Sequence, residues 1–346
     1  MIPVFEPVFD KQDIQYVTDA VKSGWLNEHK YTKELEFGLR ETITKDDSST
    51  VSMVNNGTSA IFCALRCLNV GRGKRVLVPD YTAIGVVNAV KLCGAYPVLH
   101  DVSEDTGNLE LTELPKVDAV IAVHNNGYDC DVAKIREHYP DTPIIEDISQ
   151  ALGAQYKGQK QVMGTMGDIT VGSLATSKII TMGQGGFVMT NNEADARVVK
   201  ALKDQGRIEK GDVYQFEGYN FKVTEMQSAL GVSQLTKLGD RIRKMKRIFG
   251  YYRKCLDLPK MYAGYLPWRV IVKHKGVANK VFKYHQAFTP LHLQPNIQPF
   301  LSNTPKFNGS WKYSKSHIYL PSSSNITKKQ VDEVCKILVE ENKDNE

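Results

Sequence analysis

A mainly parallel β-sheet packed between helices, followed by a smaller α+β lobe, is the fold class that this 346-residue sequence predicts, and three observations predict it. From residue 50 onward, short apolar runs alternate with stretches of helical period, the pattern of successive βαβ units. A long apolar-periodic stretch over 224–250 then ends that rhythm. Beyond it there remain two short strand-like runs and one last helix, which describe a small lobe. The expected division is a large domain over residues 1–240 and a small one over 241–346, a size range usual for a two-domain chain.

The elements follow in order. Ile14, Val17 and Val21 recur at helical spacing behind Asp10 and Asp13, either of which can cap a surface helix. Strands are expected at 75–79, 96–101, 117–124, 143–147, 169–174 and 186–190. In such a sheet ligands gather at the carboxyl ends of the strands. The helix over 224–250 carries Met226, Leu230, Leu235, Leu238 and Ile242. In the small lobe, strand-like runs at 269–272 and 317–320 flank a proline-rich stretch at 290–305. A last helix carries Val331, Val334, Ile337 and Leu338, and a disordered tail is expected over 341–346.

Composition narrows the function. With 42% hydrophobic and 24% charged residues, the chain belongs with ordinary soluble globular proteins. No apolar run approaches the ~18 residues of a spanning helix, and the first ten residues, MIPVFEPVFD, lack the basic-then-apolar order of a signal peptide. A cytoplasmic protein without a membrane partner is expected. The net charge of +5 comes from lysines and arginines spread along the chain, so a nucleic-acid partner is not expected either. Cys63, Cys67, Cys93, Cys130, Cys255 and Cys335 form no Cys-x-x-Cys pair, which argues against disulfides and a zinc site.

Three local features suit a phosphorylated, nitrogen-containing cofactor. Asn55-Asn56-Gly57-Thr58-Ser59-Ala60 precedes an apolar-periodic helix. A glycine turn into a helix start aims free N–H groups at one point, and the Thr58 and Ser59 hydroxyls add donors for a phosphate. The same residues also make an ordinary turn and N-cap. Next, the strand at 144–147 ends in Glu146 and Asp147. Alternation sends one of these acids toward the cleft, and Asp147 is the candidate partner of a protonated pyridine nitrogen; an N-cap is the plainer role. Finally, Lys178 sits in Gly172-Ser173-Leu174-Ala175-Thr176-Ser177-Lys178, just before Gly183-Gln184-Gly185-Gly186. Apolar and hydroxylated neighbours suit a partly desolvated lysine that condenses with an aldehyde, with Ser173 and Ser177 available to a phosphate; most lysines are simply surface residues.

Taken in order, these residues resemble the DegT/DnrJ/EryC/StrS group of nucleotide-sugar aminotransferases. IEDISQALGA, Lys157-Gly158, Gly167-Asp168, SLATSK and MGQGG follow the group's sequence of motifs. NNGTSA, VPDYTAIGVVNAV and GAYPVLHDV match upstream segments, and YNFKVTEMQSALGVSQL matches a downstream one. The resemblance covers residues 2–240, with thinner echoes at Trp268-Arg269, Pro290-Leu291-His292 and Leu320-Pro321. It implies the type I (aspartate aminotransferase-like) fold and the cofactor pyridoxal 5'-phosphate (PLP). Lys178 would then carry the cofactor's aldehyde carbon, Asp147 would meet the pyridine nitrogen and Gln150 would lie near the ring hydroxyl. Gly57, Thr58 and Ser173 would hold the phosphate, and Asn220 would reach the phosphate site of a second subunit in a homodimer. Trp25, Tyr81 and His292 are the candidates on the substrate side. The implied reaction moves an amino group from glutamate to a keto sugar on a nucleotide, a 4-keto-6-deoxyhexose on UDP, dTDP or GDP.

The sequence also departs from that pattern. Ala83 stands where the group places a ring-stacking aromatic residue, Gln184 replaces a Glu, Lys222 an Arg, and Asn125-Asn126 a Leu-Tyr pair. The segment 251–290 is shorter than usual. Two alternatives follow: a PLP-dependent sugar dehydratase of the same fold, which Lys178 disfavours because that branch carries His there, and a PLP-binding regulatory protein without turnover.

Overall fold

A computed structural model describes residues 1–344 apart from 210, 212, 259, 275–280 and 299–306. Seven strands make the main sheet: β1 (Thr50–Val54), β2 (Arg75–Pro79), β3 (Tyr96–His100), β4 (Ala119–Val123), β5 (Ile144–Asp147), β6 (Ile169–Ser173) and β7 (Gly186–Thr190). Their order is β1-β7-β6-β5-β4-β2-β3. All neighbours run parallel except β7, which is antiparallel to both β1 and β6. Every residue of β4 is buried, as a central strand covered on both faces requires.

Alternation along the strands divides the core in two. Ala119, Ile121 and Val123 of β4 join the cluster built with α3 (Gly57–Cys67), α4 (Ile84–Leu92) and α6 (Glu193–Lys203). Val120 and Ala122 point the other way, into the cluster formed with α2 (Lys30–Ile43), α5 (Val132–His138), α7 (Glu225–Thr236) and α8 (Leu238–Cys255). A second sheet has the order β8-β10-β9, from β8 (Ile271–Lys273), β9 (His285–Gln286) and β10 (His317–Tyr319). It is accompanied by α9 (Asn308–Ser316) and α10 (Lys328–Asp344), and α10 packs on α8. The amino-terminal residues reach this part of the chain: Ile2 N–H donates to Val281 C=O at 2.8 Å, and Ser322 N–H donates to Val4 C=O at 3.0 Å.

Several elements depart from expectation for identifiable reasons. The helix over 224–250 is two helices, α7 and α8, divided at Lys237, whose ammonium meets Asp10 at 2.6 Å and Asp13 at 2.9 Å. The first helix, α1 (Lys11–Lys22), is capped by Asp10 in a box with Asp13, yet it buries Asp13 and Ala20 while Ile14 and Val21 are exposed. Asp13 is drawn inward by the Ser233 hydroxyl at 2.7 Å as well as by Lys237. Sequence patterning does not anticipate α2, whose N-cap residue, His29, has no capping side chain. The cap comes from the buried carboxylate of Glu225, which accepts from His29 N–H at 2.8 Å, from Tyr31 N–H, and from the Thr32 hydroxyl at 2.8 Å. Strand β1 was also not anticipated; polar Thr50 and Ser52 interrupt its apolar run. The tail expected to be disordered over 341–346 continues α10 to Asp344, and residues 345–346 lie outside the described residues. Of the proline-rich stretch, the part over 299–305 also lies outside them, while Leu291–Leu293 forms a 3-10 turn.

One glycine fixes the second sheet's approach to the first. Gly127 follows β4 at φ +81°, and a Cβ there would lie 1.8 Å from the carbonyl oxygen of Leu266, in the segment leading to β8. Gly127→Ala combines a left-handed backbone with a backbone clash, so it is expected to cost about 2 kcal/mol or more and to lower the urea midpoint of unfolding. An unchanged midpoint would show that this contact relaxes freely.

Candidate active site

Three strand ends and one helix start share an edge of the main sheet. Val54, the last residue of β1, pairs with Gly186 of β7, and Gly186 pairs with Ser173, the last residue of β6. One strand over, Asp147 ends β5 opposite Val171 of β6 and Val123 of β4. Because β7 is antiparallel, its first residue lies beside the carboxyl ends of the others. Small residues let α3 begin against this row. A Cβ on Gly57 would come within 2.9 Å of Ser173 Cβ, and one on Gly186 would lie 2.5 Å from the carbonyl oxygen of Asn56.

The first N–H groups of α3 precede its intrahelical bonds and so remain available to an anion. Asn56 caps the helix by accepting from Ser59 N–H at 2.8 Å, and the Ser59 hydroxyl donates to Asn55 Oδ1 at 2.7 Å. Ser59 is thus engaged in the cap, and Gly57 and Thr58 begin the helix against Ser173.

Lys178 and Gln150 line a cavity of about 720 Å³ together with Ala83, Trp268, Arg269 and Tyr319. Residues 3–5 of the amino-terminal segment form part of its wall. The Lys178 ammonium lies 4.9 Å from the centre of the Trp268 ring. Burial pushes its pKa down to about 8; the charge of Asp147 opposes that shift and the charge of Arg269 adds to it. Asp147 is buried and accepts from Ser149 N–H at 2.8 Å. Gln150 is held by Asn126 N–H, which donates to Gln150 Oε1 at 2.7 Å.

Glu146 points away from Asp147, as strand alternation requires, into a buried network. Its carboxylate receives the His124 ring at 2.8 Å, the Tyr156 hydroxyl at 2.5 Å, Gly164 N–H at 2.7 Å and Gly167 N–H at 2.8 Å. Burial opposes charge on both members of the pair. For Glu146 the bonds from His124 and Tyr156 outweigh it and lower the pKa; for His124 the neighbouring Cys130 and Glu146 outweigh it and raise the pKa well above the ordinary value. Cys130 N–H donates to His124 Nδ1 at 3.2 Å, which leaves Nε2 facing Glu146, and this network braces the strand that carries Asp147.

The residues expected on the substrate side have other positions. Tyr81 is fully buried; its hydroxyl lies 2.9 Å from that of Tyr319, and burial raises its pKa to about 12. It belongs to an aromatic wall with Phe288 and Tyr313. His292 is tied to Asp80, with its ring Nδ1 at 2.6 Å and its N–H at 2.8 Å, and it stacks on Phe307. Both are held by the packing between the sheets. Trp25 is 54% exposed, against His29 and away from the cavity lining. Asn220 is also exposed and outside that lining, although Asn55 N–H donates to the next carbonyl, Phe221 C=O, at 2.8 Å.

The sequence departures have local explanations. Asn125 Nδ2 donates to the carbonyls of Tyr81 and Gly107, both at 2.8 Å, while Asn126 joins Tyr313 and Tyr319. Lys222 pairs with Asp204 at 2.5 Å. Ala83 leaves its part of the cavity wall without an aromatic ring. Patterning did not assign a role to Arg269, Lys283 or His285, which also line the cavity; isolated cations in short strand-like runs carry no periodic signal.

An amine whose pKa burial lowers to about 8, an acid at the neighbouring strand end and small residues at a helix start fit the aldehyde, pyridine nitrogen and phosphate of PLP. Comparison with known proteins agrees. The profile of the DegT/DnrJ/EryC1/StrS aminotransferase family matches residues 7–266, and this chain belongs to that family. Its members are PLP-dependent aminotransferases, and PLP is therefore the cofactor. The GDP-perosamine synthase of Vibrio cholerae is 31% identical, with 97% of each chain covered. The GDP-perosamine synthase of Escherichia coli O157:H7 is 28% identical, with 98% of each covered. Among solved structures, Streptococcus pneumoniae Spr1654 in its PLP-form superposes with a TM-score of 0.88 at 21% identity, covering 99% of each chain. The fold is that of the type I PLP-dependent enzymes.

The lowered pKa of Lys178 has a measurable sign. An amine that titrates at about 8 gains its neutral, nucleophilic form as pH rises through that value, well below the ordinary lysine range. Uptake of PLP by cofactor-free protein, followed by absorbance, is expected to accelerate with a midpoint near pH 8. A midpoint near 10 would mean that Lys178 is fully solvated.

Proposed function

We propose that this chain transfers an amino group from glutamate to a keto sugar carried on a nucleotide, a 4-keto-6-deoxyhexose, as a cytoplasmic homodimer. The observation that carries this reading is the desolvated Lys178 amine, within the field of Asp147, in a cavity lined by several cations and, among the described residues, by no carboxylate. Such a cavity suits substrates that bring their own negative charge. Lys283 and His285 are exposed at its wall, where the diphosphate of a nucleotide would find positive charge. The GDP-perosamine synthases among the relatives support a nucleotide sugar and favour GDP within the panel tested below.

PLP, when bound, supplies a carbonyl that receives the amino group and a ring that spreads charge from the carbon losing its proton. In the proposed assignment Asp147 holds a proton at the ring nitrogen, Gln150 lies at the ring hydroxyl, and Gly57, Thr58 and Ser173 hold the phosphate. Lys178 Nζ accepts the proton from the donor's α-carbon and later returns one to the sugar carbon. The homodimer reading is supported by a surface of apolar side chains on and around α1 and α2, among them Phe9, Ile14, Val21, Leu26 and Phe37, with Trp25 beside them. Asn220, exposed in the single chain, is then the residue offered to the second subunit's phosphate site.

The deciding experiment is a panel of GDP-, dTDP- and UDP-linked keto sugars incubated with glutamate and read by mass spectrometry. An aminated sugar supports the proposal; loss of the keto sugar's hydroxyl without amination would favour the dehydratase, and PLP binding without any conversion the regulatory protein. Lys178→Ala is expected to retain PLP without a borohydride-fixable link and to lose turnover by at least ~10² to 10⁴. Asp147→Asn should retain PLP and lose most activity. Pyridoxyl label found by peptide mapping on another lysine would overturn the assignment. In sedimentation, the expected species has about twice the chain mass of 38.8 kDa, and a monomer that turns over would exclude shared active sites.

A further inference from the structure

Arg269 is a buried cation whose environment within the chain is incomplete. It is 8% exposed, and its guanidinium carbon lies 4.3 Å from the centre of the Phe5 ring and 4.7 Å from that of Trp268. A guanidinium has five N–H donors. One of them makes a long bond, at 3.3 Å, to Ser177 C=O, which Trp268 Nε1 also reaches at 2.9 Å. Among the described residues no carboxylate lies within ion-pair distance of it. A charge largely withdrawn from bulk water without a counter-ion is costly, and cation–π attraction to the two rings offsets only part of that cost. Burial correspondingly pushes the guanidinium pKa down to about 10.

We propose that Arg269 takes the α-carboxylate of the amino donor, a specificity role that rests on the aminotransferase reading above. Location decides between this anion and the diphosphate of a sugar nucleotide. Arg269 and Lys178 lie against the same indole ring, and the carbonyl that Arg269 contacts belongs to the residue before Lys178. An amino donor carries its α-carboxylate on the very carbon that reacts, so whatever replaces the Lys178 amine brings that carboxylate close by. A sugar nucleotide carries its diphosphate at C1, across the ring from a C4 carbonyl. The planar guanidinium, held between Phe5 and Trp268, also offers the paired donors that a carboxylate matches. Trp268 and Phe5 thereby act as positioning residues, and the amino-terminal segment becomes part of donor recognition.

The test uses the PLP-loaded protein and glutarate, a dicarboxylate without an amine, titrated by calorimetry. Losing charge-assisted bonds to a carboxylate is expected to weaken glutarate binding about 10- to 100-fold in Arg269→Gln. The glutamate concentration needed for half-maximal conversion of the cofactor absorbance should rise by a similar factor, while the affinity for GDP titrated on the same variant should be unchanged. Arg269→Lys keeps the charge and loses the planar fork; its expected loss of about tenfold in glutarate affinity carries the test if Arg269→Gln does not fold. Unchanged glutarate affinity in both variants, or weakened binding of GDP with glutarate untouched, would overturn the proposal, the latter assigning Arg269 to the diphosphate. A parent protein that does not react with glutamate would instead sink the aminotransferase reading, and the glutarate titration would still report whether Arg269 binds carboxylate.

Discussion

The close approach of α3 to the paired ends of β6 and β7 is the constraint on which the site depends. It is possible only because Gly57 and Gly186 lack side chains at the two points of contact, with Ser173 Cβ and with the Asn56 carbonyl. That contact aims the free N–H groups of a helix start at the carboxyl edge of a sheet whose faces are both covered. Three residues proposed for the chemistry lie along this edge: Ser173 and Asp147 on adjacent strand ends, and Lys178 in the turn that follows β6. The reversed direction of β7 matters equally, because it returns the chain to the edge it has just left and so brings glycines to where the lysine turn begins.

Electrostatics around this edge are arranged in two layers. Beneath it, Glu146 is sealed from solvent and answered by His124, by Tyr156 and by backbone N–H groups, so its charge is spent within the protein. Above it, Lys178 and Arg269 line a cavity without a lining carboxylate among the described residues, so their charges are left for ligands. Two adjacent acids, Glu146 and Asp147, thus acquire opposite duties from the alternation of a single strand. Burial without full compensation is what moves the lysine toward neutrality.

The amino terminus and the second sheet complete the cavity from outside the main sheet. Phe5 stacks on Arg269, while backbone bonds of Ile2 and Val4 fasten the segment beside β9 and β10. Tyr81, which sequence similarity placed near the substrate, lies behind the cavity lining. Tyr81, Tyr313 and Tyr319 form a hydrogen-bonded wall with Asn126, and Asn126 in turn orients Gln150. The pair Asn125-Asn126, a departure from the family pattern, is therefore structural, joining the main sheet to the smaller one.

By itself the sequence determined the strands of the main sheet, because runs such as 75–79 and 186–190 are apolar and punctuated by glycine and polar turns; those two strands have the expected bounds, while the antiparallel course of the second was decided by its pairing. It also singled out the residues proposed for the chemistry, since Lys178, Asp147 and the Gly57 turn stand within contiguous motifs whose local geometry follows from a strand end or a helix start. Only the tertiary structure decided what depends on partners distant along the chain. Helix α2 has no cap of its own and takes one from Glu225, and α1 buries an aspartate in place of its apolar stripe because Ser233 and Lys237 meet it. Tyr81 and His292 became packing residues through Tyr319 and Asp80. Arg269 meets Phe5 at the cavity, a contact between residues far apart along the chain that no local pattern encodes.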